Sequence, residues 1–146
     1  MFSAYCPDLL LGQCLTDVAR TPDFIVRWTF SGRTSPYILQ TYCGFRVTHE
    51  GETILTQRML YTRTDFDGPL TDANRRFDHD VVRLTSLLPV KIVSVKCSNT
   101  NDLILCAENH LRIEIFADAP PVCEDWRFGP QDDVRLSAFT DCVHLK

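Results

Sequence analysis

From Val90 to Phe139 the chain alternates short apolar runs with tight polar turns, and that spacing leaves few folds open to it. Val90-Lys-Ile-Val-Ser-Val-Lys-Cys97 precedes a turn at Asn99-Thr-Asn101 and then Asp102-Leu-Ile-Leu-Cys-Ala107. A second turn, Glu108-Asn-His110, leads into Leu111-Arg-Ile-Glu-Ile-Phe116. After a proline break come Glu124-Asp-Trp-Arg-Phe128 and Val134-Arg-Leu-Ser-Ala-Phe139. Connections this brief join only antiparallel neighbours, because parallel strands need a crossover of a dozen residues or more. The pattern therefore predicts an antiparallel meander.

The first half repeats the theme. Leu9 to Val18 reads as an opening strand entered through a bend at Gly12. Phe24, Val26, Trp28 and Phe30 alternate with Arg27 and Thr29, the period of a half-buried strand. Ser31 to Pro36 is turn chemistry. Tyr37 to Thr48 then reads as one long strand with Tyr37, Leu39, Thr41, Cys43, Phe45 and Val47 on one face, and Gly44 marks a bulge or bend in it. His49-Glu-Gly-Glu52 turns the chain into Thr53-Ile-Leu-Thr56. Gln57 to Asp67 shows no period and is expected to be a loop or irregular strand.

In the middle the period changes. Leu70, Ala73, Phe77, Val81, Leu84 and Leu88 recur at steps of three and four, the apolar stripe of an amphipathic helix over about 70–88. Asp67-Gly-Pro69 supplies its start and Pro89 its stop. About 25–30 Å long, it is expected to lie across the sheet's inner face, with Leu103 to Ala107 a central strand covered on both sides. The fold class is α+β: mainly antiparallel sheet, a strongly bent meander or sandwich-like, with one helix packed on it. At 146 residues the chain is expected to be a single domain spanning 1–146, long enough to bury a core without metal or disulfide staples.

Composition narrows the function classes. A hydrophobic share of 45% with 23% charged residues is that of an ordinary globular protein rather than a disordered one. No apolar run suggests a membrane span, and Met1 to Asp8 lacks the basic and apolar regions of a secretory leader. Seven cysteines, at 6, 14, 43, 97, 106, 123 and 142, are odd in number and contain no C-x-x-C, so reduced thiols and a cytoplasmic location are expected. The net charge of −4 is unevenly spread: residues 101–146 carry nine acids against four bases, an excess of five, while residues 1–100 are nearly balanced. An acidic surface of this kind repels nucleic acid and either favours a basic partner or simply keeps the protein in solution.

Chemistry-bearing motifs are sparse. No two of His49, His79, His110 and His144 have metal-ligand spacing along a helix, and no four-ligand zinc pattern occurs. Asp78-His79-Asp80 sets two carboxylates beside an imidazole, but successive helical residues diverge, which favours a solvated helix face. There is no Gly-x-Ser-x-Gly elbow and no phosphate-binding glycine loop. Neither an enzyme nor a cofactor is expected. Tyr37, Tyr42, Trp28 and Arg46 are the set from which a single-stranded nucleic acid could be bound, opposed by the lack of a basic surplus. Trp126, between Asp125 and Arg127, is either an interface anchor or a packing residue beside Phe128.

Asp102-Leu-Ile-Leu, Leu111 to Phe116, Glu124-x-Trp126, Gly129-Pro130 and Leu136-Ser-Ala-Phe139 together resemble a family of small bacterial β-rich domains. Leu11-Gly-Gln-Cys-Leu-Thr-Asp-Val18 is similar to that family's opening strand, and the helix followed by Val90-Lys-Ile-Val-Ser-Val to its middle. Met59 to Asp67 departs from the family pattern. The family includes immunity proteins of polymorphic and contact-dependent growth inhibition toxin systems. The resemblance implies a cytoplasmic protein that binds one cognate toxin domain, a basic nuclease being the expected target, and blocks it. On that reading Asp118, Glu124, Asp125, Asp132 and Asp133, with Trp126, form part of the contact surface. The alternative is a β-rich binding module for a small ligand or single-stranded nucleic acid.

Overall fold

The structure, a computed structural model, describes residues 6–20, 25–56, 72–117 and 125–132, with helical side chains from residue 77 onward. A short 3-10 turn, Pro7–Leu10, precedes nine strands: β1 (Cys14–Arg20), β2 (Val26–Phe30), β3 (Tyr37–Thr41), β4 (Gly44–His49), β5 (Glu52–Thr56), β6 (Val90–Cys97), β7 (Leu103–Ala107), β8 (Leu111–Phe116) and β9 (Trp126–Pro130). Among the described residues one α-helix, α1 (Asp72–Thr85), lies between β5 and β6 in the chain. All pairings are antiparallel, in the order β5-β4-β8-β7-β6-β1-β2-β3-β9.

That order dictates the shape. β3 and β4 stand six places apart in the sheet, yet only Tyr42 and Cys43 connect them. Six flat strand spacings would amount to about 29 Å, whereas the link from Thr41 to Gly44 reaches about 10 Å. The sheet must curl until the two arms face each other, and its described strands do so without closing. Its hinge is the meeting of β1 and β6, which pair only through Cys14↔Lys91 and Leu15↔Val90. Bulges on both strands, between Leu15 and Asp17 and between Ile92 and Ser94, add the local bend. Across the resulting interior the rings of Trp28 (β2) and Phe45 (β4) meet edge to face at 5.1 Å.

The long strand expected over Tyr37–Thr48 is thus two strands in opposite arms. Its alternation survives the break because both arms turn the same face inward: Leu39, Thr41, Cys43, Phe45 and Val47 are all buried. Trp28 Nε1 donates to Thr41 Oγ1 at 3.0 Å, which explains a threonine on the core face. The β4–β5 hairpin turns on Glu50 and Gly51, both at positive φ (52° and 82°), the geometry that matches the twist of antiparallel strands.

α1 packs on β5 and β1, one strand from each arm, rather than across β7. Phe77 and Leu84 enter the core, and Phe77 lies 6.5 Å from Phe45, edge to face. Two ion pairs fasten the flanks, Arg20 to Asp78 and Arg83 to Glu52. The helix ends in tightened turns, with Leu87 N–H donating to Leu84 O and Leu88 N–H to Thr85 O, short of Pro89 as expected. Leu103, Leu105 and Ala107 of β7 are buried, but Ile104 and Cys106 on its other face are only half-buried, so β7 is covered fully on one side alone. Leu70, Asp67-Gly-Pro69 and the strand expected over Val134–Phe139 lie outside the described residues. No described helix is long and apolar enough to cross a membrane.

Candidate functional surface

Period two sends alternate side chains of β4, β8, β7 and β6 outward, and the registers set them in rows. Arg46, Glu114, Ile104 and Lys96 form one row; Thr48, Arg112, Cys106 and Ser94 form the next. Glu114 accepts hydrogen bonds from Arg46 Nε at 3.0 Å and Nη2 at 2.9 Å, with Arg112 Nη2 at 3.7 Å. The Arg46 guanidinium also lies 5.5 Å from the centroid of Phe116, an exposed ring at the end of β8. Arg46 and Arg112 share the Glu114 carboxylate, and exposed Lys96 lies two strands along the same row, so these side chains carry a net positive charge in a chain of net charge −4.

The flank of α1 is organised differently. Arg20 Nε and Nη2 donate to the two oxygens of Asp78 at 2.8 and 2.9 Å, a bidentate fork. The Asp78 hydrogen bond raises the Arg20 pKa, burial opposes the rise, and the Asp78 charge reinforces it. His79 Nδ1 lies 3.0 Å from Asp80 Oδ1, with the imidazole 82% exposed and the carboxylate nearly buried. The Asp78-His79-Asp80 triplet therefore divides between two partners, as helical geometry requires, and His79 stands at the surface.

The residues expected to meet a partner separate into three groups. Asp132 is exposed in the turn after β9, and Asp125 is half-buried just before it, its carbonyl accepting the Tyr42 N–H at 2.9 Å. Trp126 is 3% exposed, and its Nε1 donates to Asn101 O at 2.8 Å, tying β9 to the β6–β7 turn. Its ring belongs to the core beside Phe128 and adds little to the outer surface. Asp118, Glu124 and Asp133 lie outside the described residues. The candidate nucleic-acid set is not gathered on one face: Trp28 is fully buried, Tyr37 packs on Phe128 at 5.7 Å, Tyr42 Oη bonds Gln40 Oε1, and Arg46 points out from the other arm.

Sequence reasoning missed the Arg46–Glu114–Arg112–Phe116 grouping. The alternation of Arg112, Glu114 and Phe116 was visible in β8, but setting Arg46 and Lys96 in the same rows required the strand order. Among the described residues no group of three or more His, Cys, Asp or Glu side chains is placed to hold a metal ion. Compared with protein-family models, curated proteins and solved structures, the chain matches none.

Proposed function

We propose that this protein is a cytoplasmic immunity protein that binds a cognate bacterial toxin, a basic nuclease of a contact-dependent growth inhibition system, and neutralises it by direct contact. The observation that carries this reading is the acidic excess of residues 101–146, nine acids against four bases, together with the placement of Asp125 and Asp132. These two residues bracket β9, an end strand of the described sheet whose Trp126 and Phe128 are anchored in the core. Acids held close to the two ends of a core-anchored strand can steer a basic cleft towards the protein. Inhibition by occlusion needs no catalytic group and no cofactor.

Growth rescue on co-expression with the toxin encoded beside it tests the function, and titration of the purified pair tests the surface. The double variant Asp125→Lys/Asp132→Lys is expected to weaken binding about tenfold at low salt and to flatten its salt dependence. Unchanged affinity and salt slope would remove this surface from the interface, and absence of any complex would remove the function. The second reading, a β-rich module for a small anionic ligand or single-stranded nucleic acid, draws on the basic outer face of Arg46, Arg112 and Lys96 beside Phe116. Salt-sensitive oligonucleotide binding lost in Arg112→Glu would favour it.

A further inference from the structure

The outward side of β4, β8, β7 and β6 belongs to the opposite arm from Asp125 and Asp132, and its charge is of the opposite sign. Arg46, Arg112, Lys91 and Lys96 are exposed there, Lys91 between Val90 and Ile92, which both point into the core. Two carboxylates share or border this side, and both are engaged: Glu114 with the two arginines, and Asp102 with the Ala117 N–H at 2.8 Å. Glu50 and Glu108 stand in the turns at one end of it.

The cations stand apart, with apolar surface between them. Arg46 and Lys96 end a row whose inner members are Glu114 and the half-buried Ile104, and three strand spacings separate the two ends by about 14 Å. Arg112 stands in the next row, beside the half-buried Cys106. Phe116 and Val93, 38% and 51% exposed, lie at the margins on β8 and β6. An extended polypeptide places side chains four positions apart on one side of its backbone, about 14 Å from each other, with one further side chain between them. A segment with acids at that spacing and an apolar residue between them therefore matches Arg46, Ile104 and Lys96. A nucleic-acid strand matches less well. It carries a charge at every nucleotide, some of which would fall on Ile104, and the Arg46 guanidinium already lies over the Phe116 ring at 5.5 Å, on a face that a stacking base would need.

We propose that this face docks an extended acidic segment of a partner protein, laid across the strands with its carboxylates on Arg46, Lys96 and Arg112 and an apolar side chain over Ile104. Arg112 reaches Glu114 only at 3.7 Å and is 47% exposed, which leaves its planar fork open to a carboxylate from the partner. Because the cations are exposed, their attraction for the segment is screened by salt, while the apolar contact over Ile104 is not. The face does not overlap the acids assigned to toxin binding, so either interaction can fail without the other.

The probe is a fluorescent peptide that repeats Glu-Thr-Val-Thr, titrated with the full chain and followed by anisotropy. Binding is expected at low salt and should weaken as salt is added; the same peptide with glutamine in place of glutamate should not bind. The double variant Lys96→Glu/Arg112→Glu should weaken binding about tenfold, and the milder Lys96→Gln and Arg112→Gln each by a smaller factor. All these substitutions are at exposed positions, so the denaturation midpoint should stay near that of the wild type. Asp125→Lys/Asp132→Lys, which probes the toxin-facing acids, should not weaken peptide binding. Absence of peptide binding, binding indifferent to the changes at Lys96 and Arg112, or tighter binding of oligodeoxythymidine at the same salt would each overturn the proposal.

Discussion

Thr41 shows how one polar atom can be required inside an apolar face. Its hydroxyl accepts the Trp28 indole N–H at 3.0 Å, and both residues are buried. Valine would fill the same space, yet would leave a buried donor without its partner. Thr41→Val is therefore expected to cost about 1–3 kcal/mol, read from urea denaturation followed by fluorescence. The Trp126 indole is satisfied in the same way by the Asn101 carbonyl at 2.8 Å. Alternation in the sequence was enough to place Trp28 and Thr41 on one face. It could not show that they bond to each other, because that depends on β2 pairing with β3 in the register Trp28↔Leu39. For Trp126 the limit was sharper: the carbonyl that accepts its hydrogen bond is 25 positions away, in a turn that sequence pattern marks only as polar.

At the scale of elements, α1 is held by two kinds of contact of very different weight. Phe77 is fully buried against Phe45, while the Arg83–Glu52 pair at 3.3 Å joins two exposed side chains. Deleting the ring leaves a cavity in a packed interior; deleting the guanidinium leaves a carboxylate that water solvates. Phe77→Ala is expected to destabilise by about 3–5 kcal/mol, and Arg83→Ala by under about 1 kcal/mol. Denaturation midpoints of the two variants, measured side by side, check the ranking. The helix, β6 and β8 were legible because their periods are unbroken: β6 and β8 begin and end where the pattern does. The break at Tyr42–Cys43 was not legible. A strand that leaves one arm and enters the other keeps its inward face inward, so the period of two passes through the joint unchanged.

At the scale of the molecule, the described strands form one sheet bent until its two arms share an interior with α1, and cooperativity should follow from that. β1 and β6 join the arms through two residue pairs, extended only by the backbone bonds of Gly12 and Gln13 to Ile92, a seam too short to couple them by backbone bonding alone. The coupling comes instead from side chains that cross the interior: Trp28 against Phe45 at 5.1 Å, Phe45 against Phe77 at 6.5 Å, and Trp126 to the Asn101 carbonyl. Local spacing could not reveal this arrangement, since the contacts link residues whose proximity depends on the order of all nine strands. Phe45 lies in the arm that contains no tryptophan among its described strands, whereas Trp28 lies in the other. If the arms fold as one unit, Phe45→Ala should lower stability by about 3–5 kcal/mol and shift the tryptophan fluorescence and far-ultraviolet dichroism transitions together. Arms that fold independently would give a different result: the dichroism curve would split, and the fluorescence midpoint, reporting Trp28 in the unmutated arm, would stay near its wild-type position.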